Sequence, residues 1–202
     1  MTMSLKSKME SGEVYRESGF TDPIDINYAK ELEKQRQLGK HLAFKFNQTD
    51  PNDELTRQSL IKQLFHQVGK RPFIEGPLYT SYGCNITIGD DFYANFNLTI
   101  VDDISVTIGN HVMCGPNVMI SVTGHPLEGP RRRNGEQFSK AVRIGNDVWI
   151  GGNVAILPGV SIGNNVVIGA GSVVTHNVPD NSVVVGTPGR VVKKVPPINE
   201  QL

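Results

Sequence analysis

The sequence predicts a mainly β fold: a parallel β-helix of stacked coils, preceded by a helical cap and interrupted by one projecting loop. Three observations carry this. From Val142 the chain reads VRIGND, VWIGGN, VAILPG, VSIGNN, VVIGAG, with valine first in every block (Val142, Val148, Val154, Val160, Val166). An aliphatic residue stands third (Ile144, Ile150, Ile156, Ile162, Ile168), and Val174 continues the series. A six-residue period fits neither the 3.6 of a helix nor a meander of long strands. Two like-facing aliphatics followed by Gly, Asn or Asp describe a short strand and a tight corner. The rhythm then stops at SVTGHPLEGPRRRNGEQFSK, residues 121–140, and residues before about 70 have helical texture.

Residues 1–69 are the expected cap. DINYAKELEKQRQLGKHLAFKFNQ is a charged, helix-forming stretch, and DPNDELTRQSLIKQLFHQVG follows it. In the second, Leu55, Leu60, Ile61, Leu64, Phe65 and Val68 fall mostly at helical intervals, with Asp50-Pro51 as the start and Gly69 as the stop. Such a segment closes one end of a coil stack, which every solenoid requires, and it is positioned to add substrate contacts.

Residues 70–192 are expected to form the β-helix. Three blocks make one triangular coil, and stacked coils bury a continuous aliphatic column. Corners of this kind often need positive φ, which Gly and Asn supply at low cost. Ile108-Gly109, Cys114-Gly115 and Ile120 lie in the frame of the later repeats. Ile88-Gly89, Ala94 and Ile100 lie two residues out of it, so an insertion is expected near Val101-Asp102-Asp103. The excursion 124–140, rich in Pro, Gly and Arg, is a projecting loop rather than another coil, and residues 193–202 form a tail.

Composition narrows the partners. Twenty basic and twenty acidic residues balance, so neither nucleic acid nor an anionic membrane is a favoured partner. No apolar run approaches a transmembrane length, and MTMSLKSKMESGE has no hydrophobic signal core, so a cytoplasmic location is expected. Cys84 and Cys114 make no disulfide framework and read as small buried hydrophobes. No P-loop or Rossmann fingerprint occurs; the glycines belong to the repeat.

A β-helix surface has little concavity, and the interruption supplies it. His125 lies at the root of the loop, where the scaffold is still rigid. Imidazole is the side chain best suited to take a proton from a hydroxyl near neutral pH.

The blocks resemble the hexapeptide repeat of left-handed parallel β-helix acyltransferases. SYGCNITIGDDFYANFNLTIVDD, SVTGHP, RRNGE, DVWIGGNVAILPGVSIG and VVIGAGSVVTHNVPDNSVVVGTPGR together resemble galactoside and maltose O-acetyltransferases across nearly the whole chain. The resemblance implies acetyl transfer from acetyl-CoA to a sugar hydroxyl, with no metal, in a homotrimer whose sites lie at subunit interfaces. In it His125 matches the catalytic base and Asn95 a residue near the reacting centre. Asp103 matches a residue that hydrogen-bonds sugar hydroxyls, and Ser81 and Tyr93 line the same region. Glu17 stands where the family usually carries a sugar-binding aspartate, and Gln137 replaces an often apolar loop residue. Gly152, Ala170, Thr175, His176, Arg190 and Lys193 fall at coenzyme-binding positions. Gly152 stands for a frequent serine and Lys193 for a frequent arginine, which keeps the charge without the planar fork. Arg131, Arg132 and Arg133 read as a solvated charge run. Trp149 leans outward, towards an interface, the coenzyme or its own coil.

Two other classes share such a fold. A γ-type carbonic anhydrase places three histidines on one zinc, whereas His111, His125 and His176 are scattered here. A structural or ice-binding β-helix presents regular Thr or Ser faces, and this chain has none. Among acyltransferases the acceptor stays open: maltose, glucose, a galactoside, a lipo-oligosaccharide or a xenobiotic hydroxyl.

Overall fold

A computed structural model describes residues 3–196. Three helices precede the coils: α1 (Leu5–Ser11), α2 (Pro23–Gln48) and α3 (Glu54–Leu64). Each starts on a side chain that accepts from a backbone N–H of the first turn: Ser4, Asp22 and Asp53. The short α1 is not apparent in the sequence pattern. The second predicted helix starts at the Asp53 cap rather than at Asp50-Pro51, because the Asp53 carboxylate reaches the Thr56 N–H. It stops at Phe65 rather than Gly69, since Gln67–Val68 already pairs with the next coil. Leu55 accordingly faces solvent, while Leu60, Ile61 and Leu64 pack onto the first coils.

The remainder is a parallel β-helix with three faces. The first face stacks Gln67–Val68, Ile86–Ile88, Val106–Ile108, Val142–Ile144 and Ser161–Ile162. The second stacks Phe73–Ile74, Tyr93–Ala94, Met113–Cys114, Trp149–Ile150, Val167–Ile168 and Ser182–Val185. The third stacks Leu78–Thr80, Leu98–Val101, Met119–Ser121, Ala155–Ile156 and Val173–Val174. A last strand, Arg190–Lys194, turns back antiparallel against Ser182–Val185 and includes Lys193. Residues 197–202 of the expected tail lie outside the described residues.

Both aliphatic positions of each block point inward. Val148, Ile150, Val154, Ile156, Val166 and Ile168 are all buried, in one core that runs from Leu42 of α2 to Val184. Removing such side chains from water is the main stabilising term, about 2–3 kcal/mol for each large aliphatic.

The corners divide their labour in a way the repeat alone does not show. Positive φ falls on Asp91, His111, Asp147 and Asn165 between the first and second faces, and on Asn97, Asn117 and Asn153 between the second and third. The glycines just after the third-position aliphatics serve close approach instead. A Cβ on Gly109 would stand 2.6 Å from the Gly145 carbonyl oxygen of the next coil, so any side chain there forces the coils apart.

The corner between the third and first faces is the irregular one. Ile88 pairs with Ile108 at a spacing of 20 residues, and Val68 pairs with Ile88 at the same spacing, so two successive coils carry the longer corner. The inserted residues fall at 81–85 as well as at 101–105. In the third coil this same corner carries the loop, and register resumes with Ile108 opposite Ile144.

Among the described residues, no helix is long and apolar enough to cross a membrane.

Candidate active site

The irregular corner gathers most of the polar chemistry. Asp102 is fully buried; its carboxylate accepts the N–H groups of Ser81 (3.0 Å), Tyr82 (2.9 Å) and Asn85 (3.4 Å), tying one long corner to the next. Burial pushes its carboxyl up to about 7 against the pull of these N–H groups. Helix α2 presses directly on this corner: a Cβ on Gly39 would lie 2.0 Å from the Tyr82 carbonyl oxygen.

The loop leaves on an antiparallel pair, Thr123–Gly124 with Phe138–Ser139. The N-terminal segment extends this ribbon, because Tyr15 and Gln137 exchange backbone hydrogen bonds of 2.8 and 2.9 Å. His125 follows the ribbon directly, and its Nδ1 is 2.9 Å from the Glu136 carbonyl oxygen. A carbonyl only accepts, so Nδ1 carries the hydrogen and Nε2 is left with its lone pair. Within the loop a short helix, α4 (Gly129–Arg133), is folded down by its own arginines. Arg131 Nε donates to Glu136 Oε2 at 2.7 Å, and Arg132 donates to the carbonyls of Pro126 and Leu127. Those two arginines therefore brace the loop rather than standing free.

Glu17 joins this corner from the N-terminal segment. Its carboxylate accepts from Arg36 (2.5 Å), from Tyr82 Oη (3.3 Å) and from Gln137 Nε2 (3.2 Å). Arg36 lies over the Tyr82 ring and also donates to its hydroxyl. Asp103 faces the same cluster. Burial raises its carboxyl above the ordinary value, the Thr123 hydroxyl opposes this, Glu17 adds to it, and Arg36 and His125 lower it. On its other side Asp103 lines a cavity of about 380 Å³ with Glu10, Tyr28, Gln35, Asn85 and Arg143.

Of the sequence-predicted residues, the chain thus brings together Glu17, Ser81, Asp103 and His125 on one corner. Thr175 and His176 follow the third face further down the same corner, hydrogen-bonded to each other at 2.7 Å. Asn95, Gly152 and Ala170 belong to a different column, the corner between the second and third faces. There, backbone bonds link Asn117 to Phe96, Asn153 to Pro116, and Gly171 to Gly152. Asn95 donates to Tyr93 Oη at 3.2 Å and accepts from the Phe96 N–H. Arg190 and Lys193 are exposed on the last strand. One chain therefore carries two half-clusters on two corners.

His111 occupies the remaining corner between Asp91 and Asp147, apart from His125 and His176. Cys114 is buried, with its thiol pushed up to about 12, and burial raises Cys84, which is only half-buried. Arg36, Tyr82, Tyr15, Ser139 and Asp102 belong to the site corner without having been singled out. Their only sequence signal is position, Tyr82 and Asp102 lying in the inserted corners and Ser139 in the interruption of the repeat.

Comparison with known proteins agrees with this architecture. Residues 141–176 match the family described as bacterial transferase hexapeptide (six repeats), and residues 8–69 match the maltose acetyltransferase hexapeptide capping motif. The chain is 48% identical to a galactoside O-acetyltransferase of Escherichia coli (strain K12), covering 96% of this chain and 91% of that protein. It is 46% identical to a galactoside O-acetyltransferase of Lactococcus lactis subsp. lactis (strain IL1403), covering 87% and 85%. A solved galactoside acetyltransferase in complex with coenzyme A superposes with a TM-score of 0.88 at 46% identity, covering 96% of this chain and 92% of that one. A maltose O-acetyltransferase from Clostridium difficile 630 gives 0.86 at 41% identity, covering 96% and 99%. Coil stack, helical cap and corner loop together make this chain a member of the galactoside and maltose O-acetyltransferase family of hexapeptide-repeat transferases.

Proposed function

We propose that the protein transfers acetyl from acetyl-CoA to a hydroxyl of a sugar or glycoside by direct attack, with His125 as general base. The observation that carries this is the 2.9 Å contact from His125 Nδ1 to the Glu136 carbonyl, which leaves Nε2 free to accept a proton. The acceptor hydroxyl gives its hydrogen to Nε2 while its oxygen attacks the thioester carbonyl carbon. The tetrahedral intermediate then collapses, the C–S bond breaks, and the leaving sulfur of coenzyme A takes the proton back from Nε2. Asp103, with Ser81 and Glu17, orients the acceptor, so that a bimolecular step proceeds in a fixed geometry. Asn95, assisted by Tyr93, donates to the developing oxyanion or holds the acceptor hydroxyl.

The remaining parts require neighbouring copies. Along the outward side of the second face run Phe73, Tyr93, Met113, Trp149, Val167 and Val183, and Trp149 is 56% exposed in the single chain. The first face presents Gln67, Thr87, Thr107, Arg143 and Ser161 in the same register. An exposed apolar face marks an interaction surface, unlike faces of identical subunits meeting head to tail close into rings, and three triangular prisms close as a homotrimer. The corner bearing His125 in one subunit then meets the column of Asn95, Gly152 and Ala170 in the next. The pantetheine arm lies in the groove between them, with Thr175, His176, Arg190 and Lys193 along its length. A reaction that draws on acetyl-CoA belongs in the cytoplasm.

Thiol release from acetyl-CoA, followed over a panel of maltose, glucose, galactosides and non-sugar alcohols, tests the reading. His125→Ala should lower turnover by at least ~10²-fold, the range for a general base, with acetyl-CoA binding little changed. Near-wild-type turnover in folded His125→Ala removes it from the mechanism.

A further inference from the structure

The cavity on the outer side of Asp103 is walled from two directions. On α2, Tyr28, Leu32 and Gln35 stand at i, i+4 and i+7 and so share one helical face. On the coils, Asn85, Ser105 and Ala141 stack at the entry to the first face. There the Val106 N–H donates to the Asn85 carbonyl and the Val142 N–H to the Ser105 carbonyl. Glu10 of α1 and Arg143 of the first face complete the wall. At about 380 Å³ the space has the size of a small-molecule site.

Its lining joins two chemistries. Leu32, Ile104 and Ala141 supply an apolar patch. Around it stand polar groups with bonding capacity left over. The Asn85 amide nitrogen donates to the Asp102 carbonyl at 2.6 Å, which leaves Asn85 Oδ1 as an acceptor. Gln35 Oε1 meets the Cys84 thiol at 3.8 Å, which leaves the Gln35 nitrogen as a donor. Tyr28 adds a hydroxyl, Glu10 an acceptor and Arg143 a donor. A pyranose ring matches this combination, since its carbon–hydrogen face packs on aliphatic side chains and its hydroxyls both donate and accept. An anion fits less well, because Arg143 shares the space with two carboxylates, Glu10 and Asp103. An aryl group would strip water from the polar lining without replacing its hydrogen bonds.

We propose that this cavity is a second sugar subsite, which holds the next pyranose ring of an oligosaccharide acceptor whose reacting ring is oriented at Asp103. Asp103 is the wall common to both rings: the cavity lies on one side, and Glu17, Arg36 and His125 act on it from the other. Tyr28 and Gln35 then determine specificity, touching the second ring and not the reacting one. The placement of the reacting ring rests on the acetyl-transfer reading; the capacity of the cavity for a ring does not.

The test uses the full-length enzyme and matched acceptors, methyl glucoside against maltose and methyl galactoside against lactose, with thiol release at low acceptor concentration. In at least one pair the disaccharide should have the higher kcat/KM by about tenfold, the worth of one to two net hydrogen bonds. Gln35→Ala and Tyr28→Phe should each lower kcat/KM for that disaccharide about fivefold, and for its methyl glycoside by less than about twofold. Ser105→Trp, at an exposed position on the rim, should fill the cavity and abolish the preference while sedimenting like the wild type. Equal losses on both members of a pair, or a preference that all three variants leave intact, overturns the subsite. So does a nitrophenyl glycoside that loses as much as the disaccharide in Gln35→Ala. Saturation-transfer NMR of maltose and lactose separates the two readings. If no sugar is turned over but a disaccharide binds the wild type and not Ser105→Trp, the subsite stands and the acetyl-transfer reading fails. If neither turnover nor binding is seen, both fail.

Discussion

Asp102→Asn provides a stability experiment whose sign is set by burial. The Asp102 carboxyl has no exposed surface and sits at about 7 in the folded chain, against roughly 3.9 for an unfolded aspartate. Its folded value is raised, so the folded state holds a proton that the unfolded state has released between those two values. Stability from this group is therefore full below about pH 4, falls as pH rises, and is lost once pH passes about 7. Three pH units at about 1.4 kcal/mol each bound the loss at about 4 kcal/mol. A protonated aspartic acid and an asparagine have nearly the same shape and both keep Oδ1 as an acceptor for Ser81 and Tyr82, but the amide nitrogen cannot accept the long 3.4 Å bond from the Asn85 N–H. Near pH 4.5 the variant should therefore fall below the wild type by about 1 kcal/mol, the worth of one such bond. At pH 8 the variant should be the more stable protein. Urea midpoints for both proteins at fixed concentration across pH 4.5–8 give the difference directly, and other titrating groups cancel in it. A variant that is less stable than wild type at pH 8 would refute the reasoning. It would mean that three N–H donors outweigh desolvation and that the carboxyl is held below its ordinary value.

The remaining predictions bear on assembly, chemistry and packing. Trp149→Asp places a charge on the apolar second face and should convert the proposed trimer into monomers by sedimentation, with loss of turnover despite an intact His125 corner. Mixing inactive His125→Ala subunits with inactive subunits bearing a bulky residue at Ala170 should restore part of the activity; a fully active monomer would rule out a shared site. Cys84→Ser should retain turnover and require both substrates together, whereas an acetyl-enzyme on either cysteine, or ping-pong kinetics, counts against direct attack. Ile150→Ala, at a fully buried position, should cost about 2–5 kcal/mol in unfolding experiments.

The coil stack was legible in the residues because burial has a period here. Val148, Ile150 and their counterparts return to the core every six residues, and nothing but a short strand and a corner satisfies that spacing. The position of His125 at the root of the loop was legible for a related reason, since a break in a strict repeat marks where the chain leaves its scaffold. The role of the glycines was read less well. Positive φ is shared among Asn, Asp and glycines such as Gly159 and Gly171, while Gly109 answers to the backbone of the coil beneath it, a contact between residues 36 apart that no local window contains. The second helix was placed with the wrong ends for a similar reason: Gln67–Val68 has a strand partner 20 residues away, and pairing with it outweighs helical spacing.

The alignment of the half-sites is a tertiary matter as well. Nothing in the order of the residues says that 81–85, 101–105 and the loop share one corner, or that Glu17 spends its carboxylate on Arg36, Tyr82 and Gln137. Side-chain type and period determined the scaffold and where it is interrupted, because both act locally and repeat. Which polar groups meet was decided only when the helices folded back over the irregular corner, since hydrogen-bond partners 65 and 120 residues apart are selected by packing and leave no periodic trace.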